Sequence, residues 1–281
     1  MIQKGLIISI DFELDWGYNN HTNPLTQSEI HESLNKLIKL FDKHHVKTTW
    51  ALVGKLFENE IDNSKNQPQW IKKNLISNPL IEIASHTYRH QFLVEISLDD
   101  FNEDIFKMKT IAAQNNLVFK SMVFPRNQFL IGNIKILKQN QYSHFRNVLE
   151  KWYLKTNKFT NESRIKRYFI NFFELIPFNR DVLVRKIVGL ISVSDSRFFR
   201  FFPDTLIGFI LSFFYYKVLK FEMKGAFSRG KLYHIWFHPH NIIKAPNGFK
   251  QLDLFLTYFN KIKAHDKNLS NYKISEITVE P

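Results

Sequence analysis

The chain contains no cysteine among its 281 residues. Disulfide bonds and thiolate metal ligands are therefore excluded, and any metal ion must be held by histidine nitrogen or carboxylate oxygen. The residues from Met1 to Gly5 lead directly into an apolar, strand-like run, without a signal-peptide core or a small-residue cleavage site. We therefore expect a cytoplasmic protein that is not secreted.

The sequence also lacks an apolar run long enough to cross a membrane. The longest run in its aromatic part, from Leu206 to Tyr216, is well short of the ~20 residues that span a bilayer. The formal net charge is nevertheless +13. Residues 151–231 contain sixteen of the 39 Lys and Arg residues but only six of the 26 Asp and Glu residues. The positive charge is thus regional, and it coincides with many Phe and Tyr residues.

Strand-like and helix-like segments alternate along the rest of the chain. With 44% hydrophobic residues, the chain can bury the core of one barrel-sized domain. The alternation predicts a parallel sheet, open or closed into a barrel, with functional residues at the carboxyl ends of its strands. Strands are predicted at 6–10, 48–53, 80–84, 121–124, 142–147, 232–237 and within 272–278, and helices at about 30–41, 68–75, 97–115, 131–139 and 248–264.

The alternation is interrupted between about residues 149 and 230, where no strand is predicted. We interpret residues 1–281 as a single domain and this stretch as an inserted helical segment. It could form a lid whose basic residues meet a diphosphate or an acidic sugar, or it could lie on an anionic membrane surface. Single-stranded nucleic acid is the least favoured partner, because no recognition motif accompanies the charge. The basic residues considered for the lid are Arg164, Lys166, Arg167, Arg180 and Arg185.

Side chains that can bind a metal ion or transfer a proton follow several predicted strands. Asp11 and Glu13 follow the first strand, and His86 and His90 follow the third. Two histidines four residues apart can direct their rings to one point if the backbone makes a turn between them. They could then share a metal ion with a carboxylate. Two further groups follow later strands, at residues 125–127 and 238–240. Four such groups at one kind of position predict a single site.

The segment His86-Thr87-Tyr88-Arg89-His90 resembles the His-Ser/Thr-x-x-His motif of the polysaccharide deacetylases, carbohydrate esterase family 4. This resemblance implies a distorted (β/α) barrel and removal of acetyl groups from sugars, with both histidines on a divalent metal. The family's first motif usually reads Thr-Phe-Asp-Asp-Gly, whereas this chain has Ser9-Ile10-Asp11-Phe12-Glu13. Some branches carry Asp-x-Asp or Asp-x-Glu instead, and that pattern would make Asp11 the general base and Glu13 the third ligand. Asp15 is a rival for the ligand role.

Two further motifs of the family have counterparts here. Phe124-Pro125-Arg126-Asn127-Gln128 is similar to the motif whose arginine orients the base, which implies that Arg126 lies beside Asp11. Trp236-Phe237-His238-Pro239 is similar to the last motif, which implies that His238 is the general acid, with His240 as its alternative. No segment matches the family's fourth motif. The expected substrate contacts are Trp16, Asn127 and His240.

The resemblance implies a metal-dependent hydrolase that removes an N-acetyl group from a sugar, in capsular polysaccharide or lipopolysaccharide O-antigen biosynthesis. Zinc is the first expectation for the metal, and cobalt, nickel, manganese or iron also suit these ligands. The expected substrate is an acetylated sugar or a lipid-linked saccharide, met in the cytoplasm or at the inner membrane face. One alternative is a deformylase or other amidohydrolase acting on a lipid-linked aminosugar. Another is a non-catalytic barrel that binds glycan or membrane.

Overall fold

The computed structural model describes residues 3–14, 26–58, 67–148, 175–245 and 247–279. These residues form one mixed sheet that curls into an incomplete barrel, with helices packed on its outer face. The strands are β1 (Lys4–Phe12), β2 (Thr48–Leu52), β3 (Ile81–Ser85), β4 (Ser121–Val123), β5 (His144–Asn147), β6 (Val184–Ile187), β7 (Leu190–Ser194), β8 (Arg197–Phe198), β9 (Leu232–Phe237) and β10 (Leu269–Tyr272). The helices are α1 (Gln27–Lys43), α2 (Gln67–Ile71), α3 (Leu98–Gln114), α4 (Ile131–Gln139), α5 (Leu206–Ser228), α6 (Pro239–Ile243) and α7 (Gly248–His265).

The strand order is β6-β7-β5-β4-β3-β2-β1-β9-β8, and β10 pairs with the first part of β1. Neighbouring strands are parallel except for β6 and β7. The short segment between β7 and β8 brings the two ends of this order together. The amide of Asp195 donates to the carbonyl of Asn147, the last residue of β5, and the amide of Ser196 donates to the His234 carbonyl of β9. No strand pairing among the described residues closes the barrel at this point, and the chain itself bridges it.

Alternate residues of β1 face opposite sides of the sheet. Leu6, Ile8, Ile10 and Phe12 pack in the large apolar cluster beneath the outer helices. Ile7 packs instead in a smaller cluster in the barrel interior, together with Ala51, Ala84, Val123 and Val193 among others. Ser9 and Asp11 continue along this interior face. The interior face of β1 thus changes from an apolar residue in its first half to buried polar groups near its carboxyl end.

The structure confirms the predicted distorted barrel and most of the predicted elements. The capping box before α1 is present, because Thr26 and Glu29 each accept a hydrogen bond from the other's backbone amide. The prediction for 68–75 is divided between α2 and a π-helical turn, Lys72–Ile76. The prediction of a strand within 272–278 is wrong in position. The strand there is β10, and a 3₁₀ turn, Ile274–Glu276, follows it.

The prediction that residues 149–230 form an inserted segment without strands is wrong for residues 184–198. These residues form β6, β7 and β8, and β7 pairs directly with β5 in the main sheet. The strands are short, and β6 exposes Arg185 and Lys186, so their composition does not distinguish them from the basic surroundings. Residues 149–174 lie outside the described residues, and so do Arg164, Lys166 and Arg167.

Helix α5 is held to the barrel by a buried ionic cluster around Glu222. The carboxylate of Glu222 accepts hydrogen bonds from Arg197 at 2.6 and 2.8 Å, from Arg180 at 3.1 Å and from the Tyr233 hydroxyl at 2.9 Å. Arg180 is thus an internal partner of Glu222 in this structure, not a lid residue that meets an anionic substrate. Among the described residues, no helix is both long and apolar enough to cross a membrane.

Candidate active site

Glu13, His86 and His90 converge at the carboxyl ends of β1 and β3. Nε2 of His86 lies 3.0 Å from Oε1 of Glu13, and Nε2 of His90 lies 3.2 Å from the same oxygen. The Nδ1–H of His86 donates to the Val123 carbonyl at 2.7 Å. Because a neutral imidazole carries one proton, Nε2 of His86 then directs a lone pair at the carboxylate. Two acceptors in contact require a proton or a metal ion between them.

The loop after β3 holds the two histidines by backbone hydrogen bonds. The amide of His86 donates to the Leu52 carbonyl at 2.9 Å, and the amide of His90 donates to Oγ1 of Thr87 at 3.0 Å. Asp104, on α3, accepts from the amides of residues 88 and 89 at 2.6 and 3.0 Å. Thr87 and His90 have positive φ angles of 62° and 54°, which side-chain-bearing residues rarely adopt. These contacts compensate a backbone strained into the shape that brings both rings together.

Asp11 is paired with Arg146, a residue of β5. Two guanidinium nitrogens donate to the two oxygens of Asp11 at 2.6 and 2.7 Å, in a bidentate arrangement. Oδ1 of Asn127 accepts from Arg146 at 2.9 and 3.1 Å, and the guanidinium lies 4.4 Å from the ring centroid of Trp236. Arg146 is fully buried. The predicted substrate contact Asn127 therefore supports this arginine in the structure.

The sequence-based expectation that Arg126 lies beside Asp11 is corrected by this geometry. Arg126 has a positive φ of 52° in the 3₁₀ turn after β4, and its side chain is exposed. Its guanidinium lies 3.4 Å from the ring centroid of Phe92. The turn directs the side chain away from the barrel interior, whereas β5 directs Arg146 into it. The charge that faces Asp11 is thus supplied by the following strand.

His238 completes the cluster from the end of β9. Its Nε2 lies 3.2 Å from Oε1 of Glu13 and 3.9 Å from Oδ2 of Asp11. The His240 ring stacks on it, with centroids 5.0 Å apart. Ligand atoms of Glu13, His86 and His90 all lie within 4.8 Å of one another, and so do those of Asp11, Glu13 and His238. Asp15 and Trp16, the rival ligand and the third expected substrate contact, lie outside the described residues.

The electrostatics keep both carboxylates ionised. Burial acts to raise the pKa of Asp11, but the charge and hydrogen bonds of Arg146 outweigh it and lower the pKa. Burial opposes ionisation of Glu13 as well, yet the hydrogen bond and the charge of His238, first among its imidazole neighbours, hold its pKa well below the ordinary value. Burial and the neighbouring His238 lower the pKa of His240 to about 4. The site thus combines two carboxylates with a neutral His240.

A buried hydrogen-bond chain lies beneath Asp11. The Ser9 hydroxyl accepts from Arg146 at 3.0 Å and contacts Nε2 of His234 at 2.8 Å, while Nδ1 of His234 donates to the Ser194 carbonyl at 3.0 Å. In the neutral form of His234, Nε2 accepts the Ser9 proton while Nδ1–H donates to Ser194. Burial first, and then the charge of Arg146, lower the pKa of His234 to about 4.

We expect His234 to make the fold sensitive to acid. Its unfolded pKa is near 6.5, so the unfolded chain binds the additional proton as the pH falls below that value, whereas the native chain does so only near 4. Stability is therefore lost as the pH falls through this window. Between pH 7.5 and 5 the loss attributable to His234 is about 2 kcal/mol. Urea unfolding at both pH values measures it.

The control for this prediction is His234→Gln, which keeps a hydrogen-bonding side chain without a titrating ring. Its stability at pH 7.5 can differ from that of the wild type, so the compared quantity is the change between the two pH values. That change should be smaller in His234→Gln by about 2 kcal/mol. An equal pH dependence in the two proteins would show that His234 is not the group responsible.

Arg146 is the main residue that the sequence-based prediction missed. It stands in a segment predicted as a strand, 142–147, and a fully buried arginine requires a charged partner. Asp195 was missed too. It follows β7, is buried, and accepts a hydrogen bond from Nε1 of Trp236 at 2.8 Å. A carboxylate after a strand is the signal that could have found it, had β7 been predicted.

Comparison with known proteins bears on this arrangement. Residues 15–143 match the family model described as polysaccharide deacetylase. The match includes His86 and His90 but ends before Arg146 and His238. A search of curated protein sequences finds no significant match.

Several solved structures share the fold. A probable polysaccharide deacetylase from Pseudomonas aeruginosa PAO1 has a TM-score of 0.62 at 13% identity, over 97% of this chain and 89% of that one. PuuE allantoinase has a TM-score of 0.61 at 12% identity, over 97% and 89%. A family 4 carbohydrate esterase from Streptomyces lividans, in complex with acetate, has a TM-score of 0.50 at 9% identity, over 96% of this chain and 93% of that one. Residues 15–143, less than half of the chain, thus resemble the polysaccharide deacetylase family, and the described residues share the fold of these solved structures.

Proposed function

We propose that this protein is a metal-dependent hydrolase that removes the acetyl group from an N-acetylated sugar. The observation that carries the proposal is the convergence of Glu13, His86 and His90 beside a carboxylate, Asp11, that has its own arginine. The finer expectation is zinc as the metal and a substrate from capsular polysaccharide or O-antigen assembly, either free or linked to lipid. The family to which residues 15–143 are matched supports the reaction class.

The donor set fits a divalent cation. Two ligand atoms bound to tetrahedral zinc are about 3.3 Å apart, close to the 3.0 and 3.2 Å from Glu13 to the two histidines. Nε2 of His90 is buried and, although near Glu13, is not aligned for a hydrogen bond with any described residue. Imidazole and carboxylate without thiolate suit zinc and its neighbours in the first transition row. Glu13, His86 and His90 would hold the ion.

A bound divalent ion would supply Lewis acidity toward the amide carbonyl and toward water. Asp11 accepts the proton of the attacking water, because Arg146 keeps it ionised and occupies one side of its carboxylate. His238 stands across the cluster, 3.9 Å from Asp11, and donates a proton to the departing nitrogen. Arg146 is a positioning residue, since it contacts the base and not the reacting atoms.

The proposal predicts a divalent metal in the purified protein that depends on the two histidines. We expect about one ion per wild-type chain by mass spectrometry, and less than a tenth of that in His86→Ala combined with His90→Ala, because only Glu13 would remain of the three ligands. Release of acetate from N-acetylated sugars should fall to background in the same variant. The control is His45→Ala with His265→Ala, which removes two exposed histidines and should leave both readings unchanged.

Unchanged metal content in the His86 and His90 variant would refute the ligand assignment. Product analysis in the same assay distinguishes the alternative reaction, since formate would replace acetate if the enzyme were a deformylase. A wild-type protein that holds metal but releases neither acid from a panel of acylated sugars would support the glycan-binding alternative.

A further inference from the structure

The outward face of α5 is apolar over the first half of the helix. Seven of the fifteen large apolar side chains that are exposed among the described residues belong to this helix, and Leu206, Ile207 and Phe209 are 77, 70 and 66% exposed. Exposed apolar residues in such density mark interaction surfaces. The α5 apolar face consists of Leu206, Ile207, Phe209, Ile210, Phe213 and Phe214.

The residues of α5 that pack on the barrel lie on a different side of the helix from this apolar face. Val218, Leu219 and Met223 are buried on the side that contacts β9 and α7. The exposed positions Ile207, Ile210, Phe214, Lys217, Phe221 and Lys224 recur every three or four residues, as one face of a helix does. The second half of α5 therefore fastens the helix to the barrel, while the first half presents apolar groups to the surroundings.

The exposed charges within α5 itself are of one sign. The lysines of α5 are Lys217, Lys220 and Lys224, and Nζ of Lys217 lies 4.6 Å from the ring centroid of Phe213. Glu222 is the sole carboxylate in the sequence of this helix, and it is buried among arginines. An apolar surface bordered by lysines matches an anionic lipid layer, in which apolar groups enter the interface and lysines meet the headgroups.

The α5 apolar face lies at the same end of the barrel as the candidate site. The Phe198 ring, at the end of β8, is 5.8 Å from the His238 ring. Phe198 also lines a cavity of about 540 Å³ that extends to Pro203. From Pro203 a second cavity, of about 240 Å³, reaches Leu206 and Phe209. Two neighbouring cavities that share Pro203 thus lie between Phe198, beside His238, and the start of α5.

We propose that the α5 apolar face docks this protein on the surface of an anionic bilayer, with the mouth of the barrel turned toward the lipid. The side chains at the start of α5 enter the interfacial layer, and the lysines of its second half contact anionic headgroups. The helix does not cross the bilayer. This inference stands on surface composition and position, so it is independent of the reaction proposed above.

Vesicle co-sedimentation of the full chain tests the docking. Wild-type protein should sediment with vesicles that contain about one third phosphatidylglycerol in phosphatidylcholine, and at least about tenfold less with pure phosphatidylcholine, given about fivefold per lysine near the surface. Lys217→Glu with Lys224→Glu should reduce the partition coefficient on anionic vesicles by more than about tenfold. Ile207→Ser with Phe209→Ser and Phe213→Ser should reduce it by at least as much.

The matched control is Phe106→Ser with Val118→Ser, which removes apolar side chains that are 69 and 78% exposed elsewhere on the surface. It should bind vesicles as the wild type does. Circular dichroism and thermal unfolding verify that all variants fold, as expected for changes at exposed positions. Equal binding to neutral and anionic vesicles, or no binding, overturns the proposal. A wild-type dimer that the three-serine variant converts to monomer, without vesicle binding, would show that a second copy covers the face.

Discussion

Replacing Arg146 with methionine will lower the rate of the proposed deacetylation by about 100- to 10,000-fold, the range that a correctly placed general base contributes. The reason is geometric as well as electrostatic. Arg146 contacts both oxygens of Asp11, so its loss leaves the carboxylate buried, unpaired and free to rotate. The measurement is kcat for acetate release. We expect the effect in kcat more than in KM, because Arg146 contacts the base and not the substrate.

The comparison variant is Arg126→Ala, which removes the arginine that the sequence motif suggests for this role. Because its guanidinium lies over Phe92 and its side chain is exposed, kcat should change by less than about threefold. A loss of activity in Arg126→Ala with near-normal activity in Arg146→Met would reverse the assignment.

Loss of stability in Arg146→Met must be separated from loss of chemistry. The double variant Arg146→Met with Asp11→Asn removes both charges of the buried pair, and it should recover stability relative to Arg146→Met alone. Its activity should stay at the low level. Recovery of activity together with stability would show that Arg146 acts only through the fold.

Replacing Glu222 with glutamine will destabilise the protein by about 3–5 kcal/mol, the usual cost of leaving buried charges without their partner. Both Arg180 and Arg197 depend on this carboxylate, and all three side chains are at most 2% exposed. The free energy of unfolding in urea measures the change. Because the cluster joins α5 to β8 and β9, the transition should remain cooperative while its midpoint falls.

A surface ion pair provides the matched control for Glu222→Gln. Asp181 accepts from Arg229 at 2.6 Å, but both side chains are partly exposed. Asp181→Asn should therefore change the free energy of unfolding by no more than about 1 kcal/mol. Similar losses in the two variants would mean that burial does not set the cost of losing the carboxylate, contrary to the structure.

Much of the fold follows from local sequence pattern. The buried runs that form β1 to β4 and β9, and the capping boxes before α1 and α3, are signals within a few residues of each other. The strands between residues 184 and 198 could not be found that way. Their two-residue hairpin turn has Gly189 at a φ of 90° but Val188 at a φ of 52°, where Asn or Gly is usual, so only half of the turn signal is in the sequence. Pairing with distant strands, not local preference, makes these residues extended.

The candidate site, too, was predictable in part from local sequence pattern and in part only from the pairing of distant strands. Asp11, Glu13, His86, His90 and His238 each follow or end a strand, and parallel strands bring such positions together. The sequence alone could not decide whether Arg126 or Arg146 faces Asp11, because the answer depends on the turn after β4. Strand register decides between them, because Arg146 is aligned with Val123 on β4 and Val193 on β7, which both face the barrel interior. Motif similarity pointed to Arg126, in the turn after β4, and not to Arg146 on β5.

The candidate site is held together by contacts between residues that are far apart in the sequence, and this affects how the molecule folds. Asp11 and Arg146 are 135 residues apart in sequence, and Ser9 and His234 are 225 apart. Contacts of such long range form slowly, since the entropy of closing large loops must be overcome first. During synthesis the site cannot assemble until β9 has left the ribosome. In refolding, the buried contacts of the candidate site should therefore return in the last kinetic phase, after most secondary structure.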